Sequence, residues 1–240
     1  TPEERAMMLN ELGLNHFAYD YRDEHIPFFE EEIETLRTHR ISLSAVWLWV
    51  DPRWEEPLND AGRKIFDILR ETGTFTEIWL GFPDQAFEGM TDTACLNRSA
   101  DLIRHILQKA TEIGCSLALY NHGGWYGEPQ NLVRLVEAVG PEQIRIVYNL
   151  HHGHHQVEHF RENLEQMLPY LSTININGMR EEGPKIIPLG EGDLELEMLR
   201  VIVDSGYSGP IGILGHTEGK DIRVVLERNL KGLAQLRKEL

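Results

Sequence analysis

The chain is poor in several features, and each shortage removes a class of function. It holds only two cysteines, Cys95 and Cys115. Neither sits in a Cys-x-x-Cys pair, so no disulfide framework and no cysteine metal site is expected. Basic residues are scarce: 23 Lys plus Arg face 39 Asp plus Glu, a formal net charge of -16. Such a balance repels phosphate backbones and anionic lipid, so neither nucleic acid nor a membrane is an expected partner. No apolar run approaches the ~20 residues that cross a bilayer, and no charged-then-apolar leader opens the chain. No Gly-x-Gly-x-x-Gly or phosphate-loop pattern follows a predicted strand, which sets a doubly wound nucleotide-binding sheet well behind. Repeats of fixed length are missing too, which argues against a solenoid. The first residue is Thr1 rather than Met. The expectation is a soluble protein, cytoplasmic or, where a leader has been removed, periplasmic or secreted.

What the sequence does contain is a recurrent unit. Seven short apolar or β-branched runs are predicted as strands: Asn15 to Tyr19, Ile41 to Val50, Phe75 to Leu80, Ser116 to Asn121, Ile144 to Asn149, Ser172 to Asn177 and Pro210 to Gly215. Amphipathic stretches separate them, among them Ile26 to His39, Ala61 to Glu71, Ser99 to Ile113, Asn131 to Val139, Val157 to Leu168 and Leu194 to Asp204. Gly73, Gly114, Gly140 and Gly206 stand as helix stops. Strands alternating with helices imply parallel β-α units. A length of 240 residues suits one (β/α) TIM-type barrel as a single domain over 1–240. A further helix, Pro2 to Leu12, precedes the first predicted strand, so the expectation is seven strands and eight helices with strand one missing. Either a precursor supplies it or the barrel is open there. An open edge exposes unpaired backbone, which makes a homo-oligomer an expectation.

In a barrel the chemistry sits where the strands end. The candidates read there are His16, Trp47, Trp49, Tyr120, Asn121, His122, Asn149, His151, His152, Asn175, Asn177 and His216, with Tyr19 and Asp84 beside them. Asn and His dominate. They donate and accept hydrogen bonds without fixed charge, which suits a polyhydroxyl ligand, and Trp47, Trp49 and Trp125 offer flat faces to a sugar ring. The spacing of Trp47 and Trp49 equally suits packing in the core. In Tyr120-Asn121-His122-Gly123-Gly124-Trp125 the glycines permit a close approach of backbone to ligand, or simply turn the chain into the next helix. The tract from His151 to His159 is dense in imidazole, but only His151 and His152 are expected in the pocket. Lys185 lies in a long loop, Gly178 to Gly192, of the kind that covers a barrel mouth.

Pro188-Leu189-Gly190-Glu191-Gly192-Asp193 and Ser205-Gly206-Tyr207-Ser208-Gly209-Pro210 resemble the Gly-x-Gly and Gly-Tyr-x-Gly stretches flanking the penultimate helix of the xylose isomerase-like superfamily. That superfamily includes sugar isomerases, epimerases and endonuclease IV. The resemblance implies metal ligands at the tips of strands five to eight: Glu, Asp-x-x-His, His and Glu. Carried across, those positions fall on Tyr120, on Asn149 with His152, on Asn175, and near Leu214 or Gly215. Only His152 is a typical ligand. A divalent cation needs carboxylates to offset its charge and dehydration, so the usual metal site is expected to be absent and no cofactor is predicted. The chain looks like a divergent subgroup.

The leading expectation is an enzyme that moves a proton beside the carbonyl of a sugar or keto-sugar, an isomerase or epimerase. His122, His152 and His216 would act as acid and base, Tyr120 as oxyanion donor, and Asn149 and Asn177 would orient hydroxyls. Two alternatives stay open. One is a non-catalytic sugar-binding protein. The other is a lyase or hydratase with a metal on His122, His152 and His216. Endonuclease activity is disfavoured by the acidic charge.

Overall fold

The computed structural model describes residues 1–215 and 219–240. Its elements run α1 (Pro2–Glu11), β1 (His16–Tyr19), α2 (Phe29–Thr38), β2 (Ser42–Trp49), α3 (Asp60–Glu71), β3 (Glu77–Gly81), α4 (Asp92–Glu112), β4 (Ser116–Tyr120), α5 (Gly124–Gly127), α6 (Pro129–Val139), β5 (Arg145–Asn149), α7 (Phe160–Met167), β6 (Leu171–Ile176), α8 (Glu195–Asp204), β7 (Ile211–Ile213) and α9 (Ile222–Leu236). All strand pairs are parallel, and the sheet order is β1-β2-β3-β4-β5-β6-β7. The sheet curls into a partial TIM-type barrel whose edges, among the described residues, are β1 and β7. The helices flanking those edges meet: Arg223 of α9 donates to Glu11 of α1 at 2.6 Å. Among the described residues there are nine helices rather than the eight expected, the addition being the single turn α5.

Alternation along each strand builds two separate cores, because successive side chains point to opposite faces. Val46, Leu48, Ile78, Leu80, Leu117, Leu119, Ile146, Tyr148, Ile174 and Ile176 face the helices in one large cluster. Ala45, Trp47, Trp79, Ala118, Tyr120 and Val147 face inward and fill the barrel. Beneath them Glu77 is held by Trp79 Nε1 at 2.6 Å and by Ser172 Oγ at 2.9 Å, and burial pushes its carboxyl up. Register keeps the inward residues level across the sheet: Tyr120 pairs with Val147, Asn149 with Asn175, and Asn175 with Gly212. A polar layer containing Asn149 and Asn175 therefore lies one step above an aromatic one.

Helix starts follow side-chain caps. Thr1 and Glu4 form a capping box, while Asn59, Thr91 and Asp221 accept from backbone N–H groups of α3, α4 and α9. The cap at Thr91 carries α4 seven residues upstream of the predicted start at Ser99, and Cys95 is buried on the added turns. Downstream of β5 the chain runs first as a 3-10 segment, Leu150–His159, which delays α7 to Phe160.

The long loop after β6 is pinned by two buried polar side chains. Glu195 Oε1 accepts from Gly190 N at 2.9 Å and Gly192 N at 2.8 Å, and Asn229 Oδ1 accepts from Leu189 N at 2.9 Å. Glu195 and Asn229 are each 2% exposed, so removing either leaves buried donors unpaired. Glu195→Ala is expected to cost about 2 kcal/mol in urea unfolding, in line with such losses. It should also open residues 178–192 to limited proteolysis. A variant as stable and as resistant as the parent would show that Glu195 does not hold the loop.

Candidate functional site

At the C-terminal rim of the strands a chain of hydrogen bonds joins residues from β4, β5 and the segment after it. Tyr120 Oη lies 2.9 Å from His152 Nε2, and Asn149 Nδ2 donates to Tyr120 Oη at 3.1 Å. His151 Nδ1 is 2.6 Å from Asn149 Oδ1. Asn121 braces the same turn from beside it: its Nδ2 donates to Asn149 O at 3.0 Å, and its Oδ1 accepts from Asn149 N at 2.7 Å. His122 joins through ring contacts, 4.8 Å from His152 and 4.7 Å from Trp49 between ring centroids. Its Nδ1 donates to Phe82 O at 3.0 Å, with Asp84 Oδ1 at 3.5 Å. Trp47 stands below, its ring edge-on to Tyr120 at 5.6 Å. Trp49 is partly exposed, and its ring lies where a Cβ on Gly81 would go.

Burial, followed by the charges of His151, His122 and Lys185, pulls the His152 imidazole from 6.5 down to about 2. His152 is therefore neutral near neutral pH, the ordinary proton affinity of an imidazole giving way to its surroundings. Burial also pushes the Tyr120 phenol up, above its ordinary value of 10.0. Its proton is kept, and its hydrogen bonds go to protein groups rather than to an open oxyanion position.

Other sequence-predicted residues fall into place unevenly. Asn175 is buried in the layer of Asn149, and its amide occupies the space that a Cβ on Gly212 would need. Asn177 turns to the long loop, its Nδ2 donating to Gly178 O and Lys185 O, both at 2.8 Å. That bond fixes the backbone of Lys185, whose side chain is exposed. His16 is not brought to this rim. It is the first residue of β1, so it sits at the opposite rim beside Ser44 Oγ, 3.0 Å away. Tyr19 points outward and stacks on Phe29. Trp125 is drawn toward the helices, its Nε1 donating to Asp92 at 2.9 Å and its ring lying between Phe87 and Arg134. His216 lies outside the described residues. Gly123 and Gly124, both at φ 57, admit the chain of Asp84, whose atoms fill the space of either Cβ. The close approach they permit is to Asp84. Asp20, which carries no motif of its own in the sequence, also reaches Tyr120 with its charge; its place just past the tip of β1, two residues beyond inward-facing Ala18, is the only signal the sequence holds for it.

The groups at the described part of the rim are poor ligands for a metal. Among the described residues no three His, Cys, Asp or Glu side chains gather to hold one. The positions at which the resemblance implies ligands carry a protonated phenol, carboxamides and an imidazole, and three of them already hold one another. The family description Xylose isomerase-like TIM barrel matches residues 10–235. The chain belongs to this family. Solved structures agree on the fold. The 3-keto-D-glucoside 4-epimerase YcjR from E. coli superposes with a TM-score of 0.71 at 15% identity, covering 99% of this chain and 94% of that one. The probable 3-DHS dehydratase AsbF from Bacillus anthracis gives 0.72 at 12% identity, over 96% and 92% of the two chains. The IOLI protein, solved with a binding zinc atom, gives 0.75 at 13% identity over 98% and 93%. No curated protein matches the sequence significantly. Within the family the chain keeps the barrel, and at the positions where the resemblance implies ligands on or just past β4, β5 and β6 it carries Tyr120, Asn149, His152 and Asn175.

Two outcomes follow from the geometry. The folded His152 value lies below the unfolded 6.5, so the unfolded chain takes up a proton that the native one refuses. Native stability should therefore fall as pH drops below about 6.5, and His152→Gln should flatten that slope in urea titrations at successive pH values. An unchanged slope would place His152 in water. Gly123→Ala, strained at positive φ and set against Asp84, should lower stability by roughly 1–3 kcal/mol in the same assay; no loss would mean the Asp84 loop moves freely.

Proposed function

We propose that this protein acts on a sugar or keto-sugar and moves a proton beside its carbonyl group, as an isomerase or epimerase does, without a metal ion. The observation that carries the reading is the pair of rim imidazoles, His122 and His152, 4.8 Å apart beside the partly exposed Trp49. Proton transfer to or from carbon needs a positioned base and a group that holds the charge developing on oxygen. Two imidazoles in different surroundings supply both. The indole of Trp49 offers an apolar face to a pyranose ring, and the nearby carboxamides match hydroxyl groups as donors and acceptors. The names of similar structures, a 3-keto-D-glucoside 4-epimerase and a D-psicose 3-epimerase, favour a keto-sugar over a simple aldose. Lys185, on the loop pinned by Asn177, contributes a cation near His152 that suits an enediolate.

The test is proton exchange in deuterated water, followed by NMR, with aldoses, ketoses and 3-keto-glycosides offered to chelator-treated enzyme. Deuterium should enter carbon next to the carbonyl of at least one keto-sugar, and His122→Gln should slow it roughly 10²–10⁴-fold. Calorimetric sugar binding with no exchange would replace the reading by that of a binding protein. Exchange seen only after a divalent metal is restored would overturn the metal-free part.

A further inference from the structure

The hydrogen bonds at the rim have a direction, and the direction assigns different chemistry to the two imidazoles. A backbone carbonyl only accepts, so the 3.0 Å contact with Phe82 O places a proton on His122 Nδ1 and leaves the lone pair of the neutral ring on Nε2. The second chain takes one more step. At 3.1 Å the Asn149–Tyr120 contact suits an N–H donor, whereas O–H···O bonds centre near 2.7–2.8 Å. At 2.6 Å the Asn149–His151 contact is too short for two nitrogens and suits a carboxamide oxygen. Asn149 therefore donates through Nδ2 to Tyr120 and accepts through Oδ1 from His151. With its oxygen accepting from Asn149, the single Tyr120 proton goes to His152 Nε2, 2.9 Å away. His152, held neutral, must carry its own proton on Nδ1. Among the described residues neither His122 Nε2 nor His152 Nδ1 has a hydrogen-bond partner.

We propose that His122 and His152 divide the reaction by tautomer: His122 Nε2 is the base, and His152 Nδ1–H is a neutral donor to the carbonyl oxygen, with Tyr120, Asn149 and His151 as positioning residues. The assignment rests on the proton-transfer reading above. The C–H bond beside the carbonyl breaks, and its proton passes to His122 Nε2. Its electron pair forms the C=C bond of an enolate, whose oxygen takes the charge and the hydrogen bond from His152 Nδ1. Return of the proton from His122 to the same carbon, once the planar enolate has turned its other face to that imidazole, gives an epimer; return to the former carbonyl carbon of an enediol on the original face, after a proton shift between its oxygens, gives an isomer. Asp84, 3.5 Å from His122 Nδ1, stabilises the imidazolium formed in between. A neutral imidazole suits the donor position because it polarises oxygen without being deprotonated by it.

Imidazole 15N NMR on the ligand-free protein reads the tautomers directly and does not depend on any substrate. In the parent, His122 and His152 should each show a protonated Nδ1 and an unprotonated Nε2. Asn149→Asp, studied with chelator, turns both side-chain oxygens into acceptors, so Tyr120 should donate to it and the His152 proton should move to Nε2. Tyr120→Phe should leave His152 in a mixture of tautomers and lower kcat with KM little changed. His152 protonated on Nε2 in the parent, or unmoved in both variants, overturns the assignment even if exchange activity is found. The expected tautomers together with absent exchange would instead fault the proton-transfer reading.

Discussion

The Tyr120 hydroxyl is the point on which the rim is organised. It stands between Asn149 and His152, bonded to both, at the top of an aromatic layer that includes Trp47 and Trp79. Burial keeps it protonated, and a protonated phenol between a carboxamide and an imidazole needs no counter-ion. Positions where relatives are expected to gather negative charge for a cation are joined here by neutral hydrogen bonds. The Tyr120 hydroxyl and both ends of the Asn149 carboxamide have partners there, as a buried network requires if it is not to destabilise the fold.

That arrangement depends on the parallel sheet beneath it. Alternation puts Tyr120 and His122 on the inward face of one strand and its tip, and register sets Asn149 level with Asn175. Small residues make room: Gly81 for the ring of Trp49, Gly212 for the amide of Asn175, Gly123 and Gly124 for Asp84. The loop carrying Lys185 is anchored from three elements, through Asn177, Glu195 and Asn229. Rigid strands thus carry the imidazoles, and a separately fastened loop carries the nearby cation.

Much of this was legible beforehand, for physical reasons that also explain the rest. Parallel strands covered on both faces read as short apolar runs, so the seven strands appear close to their observed limits. Residues just past a strand's end sit at the rim whatever their partners, which is why Tyr120, His122, Asn149 and His152 could be named. His16 shows the weak point: in a strand of four residues the sequence does not tell the first residue from the tip. Trp125 depended on Asp92 and Arg134, which are distant in sequence and leave no local mark. The direction of the hydrogen bonds, and the loss of a normal proton affinity at His152, arise only once residues more than two dozen positions apart are packed together.

Crystals soaked in manganese or zinc salt and measured for anomalous scattering test the central claim most directly. The account predicts no metal peak within bonding distance, about 2.0–2.3 Å, of His152 Nε2 or Tyr120 Oη, because those atoms are committed to each other. A peak coordinated jointly by His152 with Tyr120 or Asn149 would contradict it.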